Sequence, residues 1–270
     1  MPSPSLTLDT PELAKRYEEV SAERQFRAGQ ALIAELKVTP GERALDVGCG
    51  TGLLADYVAG VVGPTGSVTG FDPLPLRIEL AKKRARSNVA YFVGNALDLS
   101  LLPADSFDVV YLNAVFHWIP DKALALRNFF RVLRPGGRVG ITTGSKDHTN
   151  VVQEILRRVL AKPPYDKHPE ASSGASQRVS ALELRQLLVD AGFTPELLEV
   201  RPNASHQASA DDAIEFSQAS SFGNFLGHLP PALAQTARAE IARELEKTRT
   251  PEGIPQQGAR LFAVAQKSLS

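Results

Sequence analysis

The chain has 270 residues, long for one domain and short for two, and its 43% apolar content is enough to bury a core. Its 30 Lys and Arg balance 30 Asp and Glu, so no global field favours a polyanion and nucleic acid is not expected as a partner. The one cysteine, Cys49, excludes an intramolecular disulfide and a thiolate cluster, and no metal is expected. The N-terminal segment lacks a signal-peptide layout and no stretch has the apolar length of a membrane span, so a cytoplasmic protein is expected.

From Ala44 to Thr143, short apolar runs alternate with amphipathic stretches, the pattern of βαβ units and a parallel sheet covered on both faces. A helix is predicted over Pro11 to Leu36, with a break near Gly29. The predicted strands are Ala44 to Gly48, Ser67 to Asp72, Val89 to Gly94, Phe107 to Asn113 and Arg138 to Thr143. Between them, helices are predicted over Leu53 to Gly60, Leu76 to Ser87 and Asp121 to Leu133, the last ending at the Arg134-Pro135-Gly136-Gly137 turn. Further on, Asn150 to Ala161 reads as a helix, residues 162 to 180 as a loop, and Ser180 to Ala191 as a helix with Ser180 and Glu183 in a capping box. Leu197 to Val200 reads as a short strand, Ala210 to Lys247 as helix in two or three pieces, and Ala259 to Gln266 as the last strand.

The strongest motif is Asp46-Val47-Gly48-Cys49-Gly50-Thr51-Gly52, which follows a strand and opens a helix. Glycines in such a loop let the backbone turn tightly and approach a ligand. A dinucleotide site can begin the same way, but Asp46 inside the strand would repel a pyrophosphate and suits an ammonium group instead. Asp72, ending the next strand, is placed either to accept ribose hydroxyls or to cap the helix beginning near Leu74.

LDVGCGTG, the acid in GFDP (Asp72-Pro73), VGNALDL and VLRPGG together resemble the signature blocks of the class I S-adenosylmethionine-dependent methyltransferases, of the methyltransferase-11 type, over about Ala28 to Thr143. The resemblance implies a Rossmann-like α/β fold, a seven-stranded, mostly parallel sheet with helices on both faces, its last strand reversed, and a helical lid. It implies one domain over 1–270: a cofactor core at 28–143, the C-terminal half of the sheet at 144–201 and 258–267, and the lid inserted at 202–257. S-adenosyl-L-methionine is the implied cofactor. By resemblance, Asp46, Gly48, Cys49, Gly50, Thr51 and Gly52 hold its methionine end, Asp72 and Pro73 its ribose, and Asn95, Ala96 and Leu97 its adenine, with Asn113 beside it. Phe116-His117-Trp118-Ile119-Pro120-Asp121 is similar to a stretch of small-acid carboxyl methyltransferases such as trans-aconitate methyltransferase. Trp118 is a candidate cofactor wall or a core aromatic, and Tyr17 and Phe26 are candidates to close over the cofactor.

Methyl transfer is an in-line displacement at carbon, so alignment is the protein's main contribution. A carboxylate acceptor needs no base; a phenol, amine or carbon acid gains from one. His117 is the candidate base, with His148 second, and Lys146 and Arg178 are candidate anchors for an acidic acceptor. Phe216, Phe222 and Phe225, with Gly223 and Gly227 as hinges, are candidates to line a small acceptor's pocket, enclosed with Asn113 to Trp118 and Gly144 to Asn150. A small-molecule acceptor is therefore expected. The alternatives are methylation of a protein or RNA, and a catalytically silent cofactor-binding protein. The Pro163-Pro164-Tyr165 run lies after the fifth strand, not at the end of the fourth where base methyltransferases often carry such a run.

Overall fold

The computed structural model describes residues 22–148, 150–169, 171, 177–220 and 225–269. In chain order the elements are α1 (Ala22–Glu35), β1 (Arg43–Val47), α2 (Leu53–Val62), β2 (Ser67–Asp72), α3 (Pro75–Lys83), β3 (Val89–Val93), β4 (Phe107–Asn113), α4 (Lys122–Val132), β5 (Leu133–Gly144), α5 (Val151–Leu160), α6 (Ala181–Asp190), β6 (Phe193–Gln207), α7 (Ala210–Ser220), α8 (Pro231–Glu246) and β7 (Ile254–Lys267). The strands form one seven-stranded sheet in the order β3-β2-β1-β4-β5-β7-β6.

Pairings β1–β2, β1–β4, β2–β3 and β4–β5 are all parallel. The last strand is reversed, as expected. The start of β5 meets the end of β7, with Gly136 N donating to Ser268 O and Lys267 Nζ to Leu133 O, while Ser145 N, just past the end of β5, donates to Ala259 O near the start of β7.

The described residues divide into two compact units. The first holds Glu23–Gly144, Gln177–Val200 and Leu261–Ser270, and so contains both faces of the sheet's core. Side chains alternate across a strand, so Leu45 and Val47 enter one apolar layer with α4 and α6, while Ala44 enters the other with α1, α2 and α3. The second unit draws on Ser145–Ser176 and Arg201–Arg260. In it α5, α7 and α8 pack around Val152, Leu156, Ala213, Ile214, Ala237 and Ile241.

Several boundaries differ from those the sequence predicts. Helix α1 runs through Gly29 without a break, and a Cβ there would stand 2.7 Å from Leu54 and 3.0 Å from Asn113. That glycine serves close packing rather than a kink. Strand β5 begins at Leu133, not Arg138: Phe107 pairs with Leu133 and Val109 with Arg138, so the intervening proline-glycine segment bulges within the strand. Strand β6 runs 15 residues rather than four. It is the last strand of the sheet, and its alternation is carried by Glu196, Glu199, Asn203 and Ser205, which give no hydrophobic signal. Strand β7 starts at Ile254, hidden in the sequence by Pro255 and Gly258. The α6 boundary matches its motif: Ser180 Oγ accepts from Glu183 N, and Glu183 returns the bond to Ser180 N.

Candidate functional site

All the described candidate cofactor residues lie in the first unit, at the carboxyl ends of β1, β2, β3 and β4. Tyr17 lies outside the described residues, as do Phe222 and Gly223.

The loop after β1 is a left-handed glycine turn, with φ of +69° at Gly48, +55° at Gly50 and +83° at Gly52. The three glycines serve different ends. A Cβ on Gly48 would stand 2.5 Å from Val115, and one on Gly52 would stand 2.6 Å from the Tyr91 hydroxyl. These two are required by packing within the protein. A Cβ on Gly50 would meet no atom within 4 Å. Gly50 therefore opens onto space that a ligand's backbone-hugging part can fill. Gly48 N and Cys49 N both donate to Phe71 O, which ties the turn to β2.

Asp72 fastens the same turn from the other side. Its carboxylate accepts from Gly50 N at 3.0 Å and from Leu74 N at 3.0 Å, with the side chain 2% exposed. The helix-entry reading of Asp72 is thus visible as a bond to Leu74, although the N-cap of α3 is Leu74 itself. A carboxylate offers about four acceptor positions, more than these two backbone bonds use.

Asp46 is 3% exposed, and its Oδ2 makes no hydrogen bond. Burial pushes its carboxyl up to about 8; Tyr111 opposes the shift and Asp72 adds to it. Burial likewise raises the Cys49 thiol, with Asp46 and Asp72 adding, so Cys49 is a packed thiol and not a nucleophile. Thr51 is buried beneath the turn.

At the end of β3, Asn95 forms a local turn in which its Oδ1 accepts from Leu97 N at 2.9 Å. The next carbonyl, Ala96 O, accepts from Asn128 Nδ2 of α4 at 3.0 Å, which locks this loop onto the helix. Asn113 ties three elements together. Its Nδ2 donates to Gln25 O of α1 at 2.8 Å, and its Oδ1 accepts from Thr142 Oγ1 of β5 at 2.7 Å. Ala114, just beyond, sits at φ +60°, an uncommon conformation for a residue with a Cβ. Its N–H donates to Thr142 O, which holds the strained turn in place.

His117 and Trp118 follow on a short 3-10 turn, Phe116–Trp118, with Phe116 buried in the core. The two rings lie 4.8 Å apart at 50°. His117 Nδ1 is 2.9 Å from the buried Thr143 Oγ1, and His117 O accepts from Gln177 N at 2.8 Å. When Thr143 accepts from Nδ1–H, Nε2 is left as the acceptor, the tautomer a base requires. Arg178 packs over Gly144, where a Cβ would stand 3.1 Å from its Nε. It also lines a groove of about 730 Å³ with Asp121, Lys122, Glu183, Gln186 and Asp190. Carboxylates outnumber cations among those five neighbours, so this groove does not suit an acidic ligand.

In the second unit, His148 and Lys146 are exposed, with His148 Nδ1 3.5 Å from Ser145 Oγ. Phe225 packs against the α5–α7–α8 core. Among the described residues no cluster of His, Cys, Asp or Glu is placed to hold a metal ion, and no helix is long and apolar enough to cross a membrane.

Tyr111, Thr142, Thr143, Gln25 and Asn128 belong to the site without being singled out by any sequence motif. Each acts through a long-range contact that leaves no local pattern. Tyr111 alone had a signal: it is the in-register partner of Asp46 across β1 and β4, which requires the strand pairing to be known first.

A family model described as a methyltransferase domain matches residues 45–141. The 2-phytyl-1,4-naphtoquinone methyltransferase of Synechococcus elongatus is 38% identical over 126 residues, 45% of this chain and 54% of its own length. The match thus spans only about half the length of that relative. The demethylmenaquinone methyltransferase of Lactobacillus johnsonii is 30% identical over 173 residues, 59% of this chain and 70% of its own length. Among solved structures, the YcgJ protein from Bacillus subtilis superposes with a TM-score of 0.60 at 17% identity, over 90% of this chain and 98% of that one, a likeness of fold.

Proposed function

The chain belongs to the class I S-adenosylmethionine-dependent methyltransferases, and from that premise we propose that it methylates a small-molecule acceptor. One observation carries the cofactor side of this reading: the Gly48–Gly52 turn is pinned by Asp72 and opens onto empty space at Gly50, and the strand leading into it carries the buried Asp46 carboxyl. These residues fit the cofactor. Asp46 supplies an anion for an ammonium group, the Gly50 edge permits close backbone approach, and Asp72 supplies acceptors for a pair of ribose hydroxyls. Asn95, Ala96 and Leu97 flank the adenine position, and Asn113 and Trp118 stand at the β4 edge.

When bound, the cofactor supplies a sulfonium-activated methyl group, so no metal is needed for its activation. The chain's own residues align and deprotonate. Thr143 orients the His117 ring, and His117 Nε2 takes the proton from a hydroxyl of the acceptor as that acceptor becomes the nucleophile. The relatives' names point to aromatic quinone-type acceptors, in whose reduced form a ring hydroxyl can lose this proton. The stretch from Phe116 to Asp121 favours a second class, small carboxylic acids, which arrive already ionised and make His117 dispensable.

Mass identification of ligand retained on purification, with calorimetric titration of S-adenosylhomocysteine, tests the cofactor reading. Nanomolar to micromolar binding supports it; no binding by a folded protein sinks it.

A further inference from the structure

We propose that Tyr111 is the positioning residue that holds Asp46 ionised toward the cofactor, and that loading the site expels a proton from Asp46. The inference rests on the reading of the glycine turn as an S-adenosylmethionine site.

Asp46 of β1 and Tyr111 of β4 are register partners, so their side chains leave the sheet on the same face. That face is the layer built from α1, α2 and α3, where Tyr111 is fully buried among Cys49, Tyr91 and Val109. Asp46 Oδ2 and Tyr111 Oη are both sealed from solvent without a hydrogen bond of good geometry, yet they lie near enough for the Tyr111 hydroxyl to pull the Asp46 carboxyl down against the effect of burial. Orphaned buried polar atoms are costly, of the order of 1–3 kcal/mol each. Two of them on paired strand positions, one in the strand that leads into the glycine turn, mark a site completed by something else.

The groups acting on the pair are Asp72 from β2, Tyr91 from β3 and Cys49 from the turn. None is a cation. Among the described residues no cation acts on an ionised Asp46, which agrees with the upward displacement of its titration. The cofactor's ammonium is the missing cation. As the site loads, the Asp46 O–H bond breaks and its proton leaves to solvent. The carboxylate left behind accepts from the ammonium on one side and from the Tyr111 hydroxyl on the other. The ammonium keeps its three protons throughout, and Tyr111 keeps its own.

The test is titration calorimetry at about pH 6.5 in buffers of unlike ionisation enthalpy, which counts protons released on binding. S-adenosylhomocysteine carries the ammonium; 5′-methylthioadenosine has the same nucleoside without it. The wild type is expected to release close to one proton per S-adenosylhomocysteine and none with methylthioadenosine. Tyr111→Phe is expected to weaken S-adenosylhomocysteine about tenfold or more and leave methylthioadenosine unchanged. Asp46→Asn is expected to abolish the release while still binding methylthioadenosine. Binding of S-adenosylhomocysteine without proton release, or equal weakening of both ligands by Tyr111→Phe, overturns the inference. If neither ligand binds the wild type, the cofactor reading itself falls and the inference with it.

Discussion

Asp46→Asn isolates the electrostatic cost that the fold carries for its binding site. Burial pushes the native carboxyl up to about 8, whereas in the unfolded chain it stays in the usual aspartate range, about 3.9. Between those values the native state holds a proton that the unfolded chain has lost. Stability from this group is therefore complete below the unfolded value and drains away as the pH rises through the native one. The slope is at most about 1.4 kcal/mol per pH unit. Raising the pH from about 5 to about 8 thus removes up to about 4 kcal/mol from the empty wild type through this residue alone. Asparagine has nearly the same shape and cannot ionise, so the variant loses none of that share. At roughly 2–4 °C per kcal/mol for a chain of this size, the gap between the two melting temperatures should shift in the variant's favour by on the order of 10 °C across the interval. Differential scanning calorimetry of cofactor-free protein at three pH values measures it. Carboxylates with depressed pKa, such as Glu42 and Asp56, titrate below this window and cancel in the difference. A gap between wild type and variant that stays constant from about pH 5 to about 8 would refute the reasoning.

The glycine turn separates fold from binding. Gly48→Ala should cost more than about 2 kcal/mol, because its Cβ meets Val115 at 2.5 Å as well as a left-handed backbone; Gly50→Ala meets nothing and should cost about 1 kcal/mol. Both should lower S-adenosylhomocysteine affinity, and equal melting temperatures for the two variants would count against the assignment. Asp72→Ala should weaken the cofactor at least tenfold by calorimetry, since each charge-assisted bond to ribose contributes about 1.5–3 kcal/mol, and should also loosen Gly50 and Leu74. Unchanged affinity in a folded Asp72→Ala protein rules out the ribose role. Thr143→Val should lower turnover of a hydroxyl acceptor several-fold and alter its pH profile while sparing a carboxylate acceptor, because only the first needs an oriented His117. An identical effect on both acceptors points to packing instead.

The cofactor half of the sheet was legible because its elements are periodic and its chemistry is local. Ser67–Asp72 and Phe107–Asn113 coincide with their predicted strands to the residue, and Asp46, the three glycines and Asp72 follow one another within one βαβ unit. The Ser180 capping box was legible for the same reason. What stayed hidden depends on partners far along the chain. The length of β6 is carried by polar residues at the edge of the sheet, and Gly29 looked like a helix break when it is a contact with Leu54 and Asn113. Within the site, sequence could distinguish neither Gly50 from its neighbours nor Asp72 the ligand from Asp72 the loop anchor. Both distinctions need the third dimension: the empty volume over Gly50, and the backbone N–H groups that face the Asp72 carboxylate. Tyr111 reads as an ordinary apolar strand residue until β1 and β4 are set side by side.

Methyl transfer to a small molecule is tested by following a labelled methyl group from S-adenosylmethionine. The purified chain is offered reduced naphthoquinones, phenols and small carboxylic acids in one arm, and bulk protein or RNA in the other. Label is expected in a small-molecule acceptor with equimolar S-adenosylhomocysteine, and a loss of about 10²–10⁴-fold in His117→Ala for hydroxyl acceptors only. Label found only in protein or RNA, or no transfer by a chain that binds the cofactor, would contradict small-molecule methyl transfer.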